Sequence, residues 1–105
     1  MRPTSVTVSA TGASAWIPVD WTQANFNLGI TVDVSAGATL TWVVEITSDD
    51  IYNSTVTPTA FLAPAPLETG TTDEIGAITI PCRAVRLNCT ITAGTATITV
   101  VQGRK

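Results

Sequence analysis

Between residues 25 and 47 every second residue is apolar: Phe26, Leu28, Ile30, Val32 and Val34, then, past Ser35-Ala36-Gly37-Ala38, Leu40, Trp42, Val44 and Ile46. Successive side chains of a strand point to opposite faces, so a period of two gives each strand one dry face and one wet face. A helix would need apolar residues three and four apart, and nowhere does that spacing hold for three turns. The pattern predicts two strands, residues 25–34 and 39–47, joined as a hairpin with their even-numbered side chains on the core.

The remaining segments read the same way. Val6 and Val8 alternate with Thr and Ser over residues 4–9, and Thr11-Gly12 closes that strand. Residues 15–19 make a short extended piece that Pro18, lacking an amide donor, confines to an edge or a bulge. Residues 75–80 form a short apolar strand. Residues 84–92 send Val85, Leu87, Cys89 and Ile91 inward, and residues 95–101 send Ala96, Ile98 and Val100 inward. Ala93-Gly94 between them is the length of a tight hairpin turn. Six to eight short strands, each with one dry face, bury those faces most economically against one another. The expected fold is therefore all-β, a single-domain antiparallel β-sandwich or jelly roll spanning residues 1–105. Register makes the expected core specific: Asn27, Thr31, Thr41, Arg86, Thr97 and Thr99 belong outside it.

Residues 48–76 interrupt the pattern with Pro58, Pro64, Pro66 and two acidic pairs. Loops of this length without regular structure are usually functional or disordered, but Ile51, Tyr52, Val56, Phe61, Leu62 and Leu67 carry too much apolar surface for plain disorder. A short strand is expected near residues 57–62, with the rest lying over the sandwich or reaching to a partner.

Charged residues are 12% of the chain against 45% hydrophobic, about half the usual charged share. Thr and Ser carry most of the polar surface, which suits packing against neighbours. The net charge of −3 and the scarcity of Lys and Arg argue against nucleic-acid binding. Arg2, Arg104 and Lys105 stand at the chain ends while the acids lie between, a distribution suited to tethering the ends to an acidic partner surface. No run approaches a membrane span or the apolar stretch of a signal peptide, so a membrane partner is not expected and synthesis in a cytoplasm is.

Chemistry-bearing constellations are few. Cys82 and Cys89, if on one continuous strand, sit at an odd offset on opposite faces roughly 20 Å apart, so both are expected as free thiols with Cys89 in the core. Without His they make no zinc site. Asp49-Asp50 with Asn53 offers oxygen ligands but lacks the EF-hand spacing, Gly and distal Glu, and reads as a solvated turn. Asp73-Glu74 reads as a charged turn; pairing it with Asp49-Asp50 as acid and base would need the fold to bring them together. Asn53-Ser54-Thr55 and Asn88-Cys89-Thr90 match the glycosylation triplet only formally. No nucleophile has a base, so neither enzyme activity nor a metal or cofactor is expected. Trp42 belongs to the core, whereas Trp16 and Trp21 flank Pro18 and Asp20 in a poorly periodic stretch where one of them is expected to be exposed. Either of these, or Tyr52, is a candidate sugar-stacking ring.

The order Gly12-Ala13-Ser14-Ala15-Trp16-Ile17-Pro18-Val19-Asp20, then Phe26-Asn27-Leu28-Gly29-Ile30, a Thr-Trp strand ending near Asp49-Asp50, Ala84-Val85-Arg86-Leu87-Asn88 and a closing Val100-Val101-Gln102-Gly103 resembles small β-rich virion proteins of tailed bacteriophages, of the head decoration or cement type. The likeness spans nearly the whole chain and departs at Ala63-Pro64-Ala65-Pro66, where a more compact aromatic turn is expected. It implies a structural protein on the capsid surface of a virion, made in the host cytoplasm, that bridges subunits of the major capsid protein. It also implies a homo-oligomer, trimer or dimer, and no catalytic residue. The contact residues expected on that reading are Arg2, Phe61, Leu62, Arg104 and Lys105, with Phe61 and Leu62 as anchors on a proline-stiffened loop. The rival expectation is a carbohydrate-binding or adhesin-type sandwich of a phage tail or a cell surface.

Overall fold

The computed structural model describes residues 4–22 and 26–102. The expected contact residues Arg2, Arg104 and Lys105 lie outside the described residues, as does the predicted strand start at Asn25. Among the described residues nine strands follow in chain order: β1 (Thr4–Val8), β2 (Gly12–Ala13), β3 (Ile17–Pro18), β4 (Leu28–Val34), β5 (Thr39–Thr47), β6 (Phe61–Leu62), β7 (Glu74–Ile78), β8 (Ala84–Ala93) and β9 (Ala96–Gln102). β3 and β6 fall within the extended pieces expected at 15–19 and 57–62, though each is only two residues long. The unexpected strand is β2, whose two residues are too few to register as a period and begin at the Gly12 read as closing the first strand.

The strands form two antiparallel sheets. One runs β1-β9-β4-β7; the other runs β2-β8-β5-β6, with β3 also paired to β8. The dry faces meet as the alternation requires. Leu28, Ile30, Val32, Ile78, Ile98 and Val100 come from the first sheet and Trp42, Val44, Val85, Leu87 and Cys89 from the second, all buried. Asn27, Thr31 and Thr41 are exposed, and Arg86, Thr97 and Thr99 are partly so. Three residues expected on the core face, Val34, Ile46 and Ile91, are only partly buried, each near a strand end where the alternation breaks. At the end of β5 it is Thr47 that is buried, its hydroxyl accepting from Asp49 N and its carbonyl accepting from Arg83 N at 2.8 Å. Near the end of β8 a bulge shifts the register between Thr39 and Leu40 of β5.

Neither predicted hairpin forms. β4 and β5 belong to different sheets, and so do β8 and β9, so both links are arches that carry the chain from one sheet across the core to the other. The same alternate residues point inward in a hairpin and in an arch alike, so alternation names the face of a strand and not its partner. The arches lie side by side: Ser35 N donates to Thr95 O at 2.9 Å and Thr95 N donates to Ser35 Oγ at 3.0 Å. Gly37 and Gly94 supply the positive φ values, +74° and +92°, that the two links need.

Residues 63–70 continue the outer edge of β5 instead of reaching away from it. Ala63 N donates to Val44 O, Val44 N to Leu67 O, and Trp42 and Gly70 exchange both backbone hydrogen bonds at 2.8 and 2.9 Å. Leu67 is fully buried. Part of the long irregular stretch is thus a side wall of the sandwich, while residues 48–60 and the turn at 71–73 lie mostly at the surface. Both cysteines are free and buried. Cys82 precedes β8 in irregular chain and joins the core, so the opposite-face expectation for the pair does not hold.

Candidate functional site

Two exposed clusters stand at the end of the sandwich opposite the arches. They sit on different sides of the second sheet, which runs from β3 through β8 and β5 to β6. On the β6 side, Phe61 and Leu62 are 61% and 59% exposed and pair with Ile46 and Glu45 of β5. Adjacent strand residues face opposite ways, so the two side chains cover both faces of an edge whose outer flank is unpaired among the described residues. Both expected anchors are therefore at the surface. They lie on a strand held by the Ala63 and Leu67 backbone bonds, which is firmer than the proline-stiffened loop expected for them.

On the β3 side, Trp21 and Tyr52, 49% and 77% exposed, line one small cleft with Pro18, Val19, Asp50, Ile51 and Arg83. The cleft measures about 80 Å³. Three separate segments build it. The Gln102 side chain is buried and clamps the backbone of Asp20, accepting from its N and donating to its O at 2.8 Å each. Asp20 Oδ1 in turn accepts from Thr22 N and Oγ1. Together these set the turn that presents Trp21. Arg83 is fixed by exchange with neighbouring backbone, its N donating to Thr47 O and its O accepting from Val19 N. Its guanidinium carbon stands 4.9 Å from the centre of the Trp21 ring. Asp50 Oδ1 accepts from Tyr52 N at 3.0 Å, which leaves Oδ2 facing the Arg83 Nη1 at 4.0 Å.

Trp16 has a different neighbourhood. Arg86 lies 4.3 Å over its ring and donates through Nε to Glu45 at 2.7 Å, so the cation is committed on both sides. Trp16 is half-buried on the outer face of the second sheet, where it covers this pair; the ring is packing, not a platform. Trp42 is buried, with its indole N–H donating to Thr72 O at 2.9 Å.

The acidic pairs serve their own backbone. Asp49 Oδ2 accepts from Thr59 N at 2.7 Å, and Asn53 Oδ1 accepts from Thr55 N and Oγ1. Asp73 Oδ1 accepts from Val34 N at 2.7 Å, tying the turn before β7 to the end of β4. Asp73 therefore belongs to the arch end and Asp49-Asp50 to the other, separated by roughly the 25–30 Å length of a nine-residue strand. They do not form an acid and base pair. No group of three His, Cys, Asp or Glu side chains with metal-binding proximity occurs among the described residues. Burial pushes the Cys82 thiol up to about 11 and also raises Cys89, so neither presents a ready thiolate.

No protein-family model, curated protein or solved structure matches the chain. The residues that sequence reasoning missed are Asp50 as a cleft wall, Arg83 as the cap on Trp21, and Gln102 as the clamp behind it. No local signal marks them, because each acts through a segment 33 to 82 positions away.

Proposed function

We propose that the protein is a non-catalytic virion component that decorates a bacteriophage capsid and bridges neighbouring major capsid protein subunits, acting there as a small homo-oligomer, a dimer or trimer. The observation that carries this reading is the Phe61–Leu62 pair: two large apolar side chains, mostly in solvent, on a short edge strand whose backbone is pinned to the sheet. Apolar anchors on a rigid support lose little ordering entropy when a partner covers them, which is what contact hot spots require. An edge strand adds main-chain hydrogen bonding as a second means of attachment. The sparse surface charge limits repulsion between copies packed side by side. Many such weak contacts on one particle sum by avidity. The likeness to phage head decoration proteins, read from the chain's motifs, supplies the capsid as the partner.

The test is the double variant Phe61→Ser, Leu62→Ser. Both side chains are exposed, so the isolated protein stays folded by circular dichroism. Its retention on purified capsids is expected to fall about tenfold or more, in line with roughly 1–2 kcal/mol lost for truncated anchors. The loss shows most clearly after heating or in low salt. Normal retention by a folded double variant sinks the proposal.

A further inference from the structure

We propose that the cleft formed by Trp21, Tyr52, Asp50 and Arg83 binds one pyranose ring of a neutral saccharide. This goes beyond capsid attachment, which it neither needs nor competes with, because the cleft lies on the β3 side of the second sheet and the Phe61–Leu62 edge on the β6 side.

The composition of the cleft selects the ligand chemistry. Its apolar wall is Pro18, Val19, Ile51 and the two aromatic rings, with Tyr52 the most exposed large hydrophobic side chain of the described residues. An exposed aromatic ring offers a flat apolar face, and the axial C–H face of a pyranose is a ligand surface of the same shape. Its polar wall is one carboxylate and one guanidinium, 4.0 Å apart. That spacing exceeds hydrogen-bond length, so Arg83 keeps donors and Asp50 Oδ2 keeps lone pairs for a third party. Adjacent hydroxyls on a sugar ring both donate and accept, and such a pair satisfies both groups at once. The two charges cancel, which leaves no excess cation for phosphate or nucleic acid. A volume of about 80 Å³ admits the edge of one ring and not a stretch of peptide.

The groups are also held in place before a ligand arrives. The Gln102 clamp on Asp20 fixes the turn carrying Trp21, the bond from Tyr52 N fixes the Asp50 carboxylate, and Arg83 is braced against Trp21 and by two backbone bonds. Preorganisation of this kind reduces the ordering cost of binding. With contact to a single ring, affinity is expected at about the millimolar level, and many copies on one surface would raise it by avidity.

The experiment is a titration of the full chain, labelled with ¹⁵N, with the methyl glycosides of glucose, galactose, mannose and N-acetylglucosamine. The expected result is saturable shift changes for at least one of them, confined to the Trp21 indole N–H and the amides of Tyr52 and Arg83. Tyr52→Ala and Asp50→Asn should each weaken that binding about tenfold or more, while Phe61→Ser, Leu62→Ser binds as the wild type does. Tyr52 is mostly in solvent, so its replacement leaves the fold intact even if a change at Trp21 does not. No saturable shift with any of the four glycosides, or undiminished binding by Tyr52→Ala, overturns the proposal. Normal capsid retention by the Phe61→Ser, Leu62→Ser variant would sink the capsid reading and leave this site unaffected, so the two readings fail separately.

Discussion

At the scale of single residues, Gly70 has little room to change. Its backbone exchanges hydrogen bonds with Trp42, and a Cβ there would stand within 2.7 Å of the Trp42 Cε2. The indole cannot retreat, because it is buried and its N–H is bonded to Thr72 O. Gly70→Ala is therefore expected to cost about 1–3 kcal/mol through overpacking, read as a lowered urea midpoint with unchanged slope. Cys82 makes the second prediction at this scale. Burial moves its thiol from 9.0 to about 11. The unfolded chain therefore releases that proton first, and between these values it binds fewer protons than the folded state. The contribution to stability is complete below pH 9 and is lost as pH rises toward 11. Urea unfolding across this interval is expected to show a steeper decline for the wild type than for Cys82→Ala. In the folded protein at neutral pH, both thiols should resist alkylation.

At the scale of elements, the two arches work as one unit. Gly94 needs its left-handed φ, and a Cβ on it would also come within 2.8 Å of the Ala38 Cα and of Ser35 Oγ in the other arch. Gly37 needs a left-handed φ too, but a Cβ there meets nothing within 4 Å. Gly37→Ala is thus expected to cost only the backbone term, about 1–2 kcal/mol. Gly94→Ala adds the separation of the arches and should cost clearly more, about 2–4 kcal/mol in total. Equal losses in the two variants, measured by chemical denaturation, would mean that the arches do not brace each other. The long irregular stretch is explained at this scale as well. Its second half replaces a conventional edge strand, satisfying the outer hydrogen-bonding groups of β5 through Ala63, Leu67 and Gly70 instead of through a continuous ladder.

At the scale of the whole molecule, surface and chemistry divide between two ends. The arch end is closed by backbone bonding and carries Asp33, Asp73 and Glu74. The opposite end carries the Phe61–Leu62 edge and the Trp21–Tyr52 cleft, on different sides of one sheet. A small sandwich with this layout attaches by one side and still presents the other, and the two sets of variants described above separate these roles. What the sequence determined by itself was the fold class and the faces of the long strands β4, β5, β8 and β9, since alternation is a local property: Leu28, Ile30 and Val32, like Trp42 and Val44, must be buried together or not at all. Phe61 and Leu62 are exposed, as expected of anchors on the proline-flanked stretch, but nothing local distinguishes them from Leu67 of the same stretch, which is buried. Only the tertiary structure decided which strands pair, turning both expected hairpins into arches, and only it assembled the cleft. Asp50, Arg83 and Gln102 are set by hydrogen bonds and stacking across tens of residues. A pattern of period two carries information about faces, whereas contacts of that range depend on how the sheets are finally laid over one another.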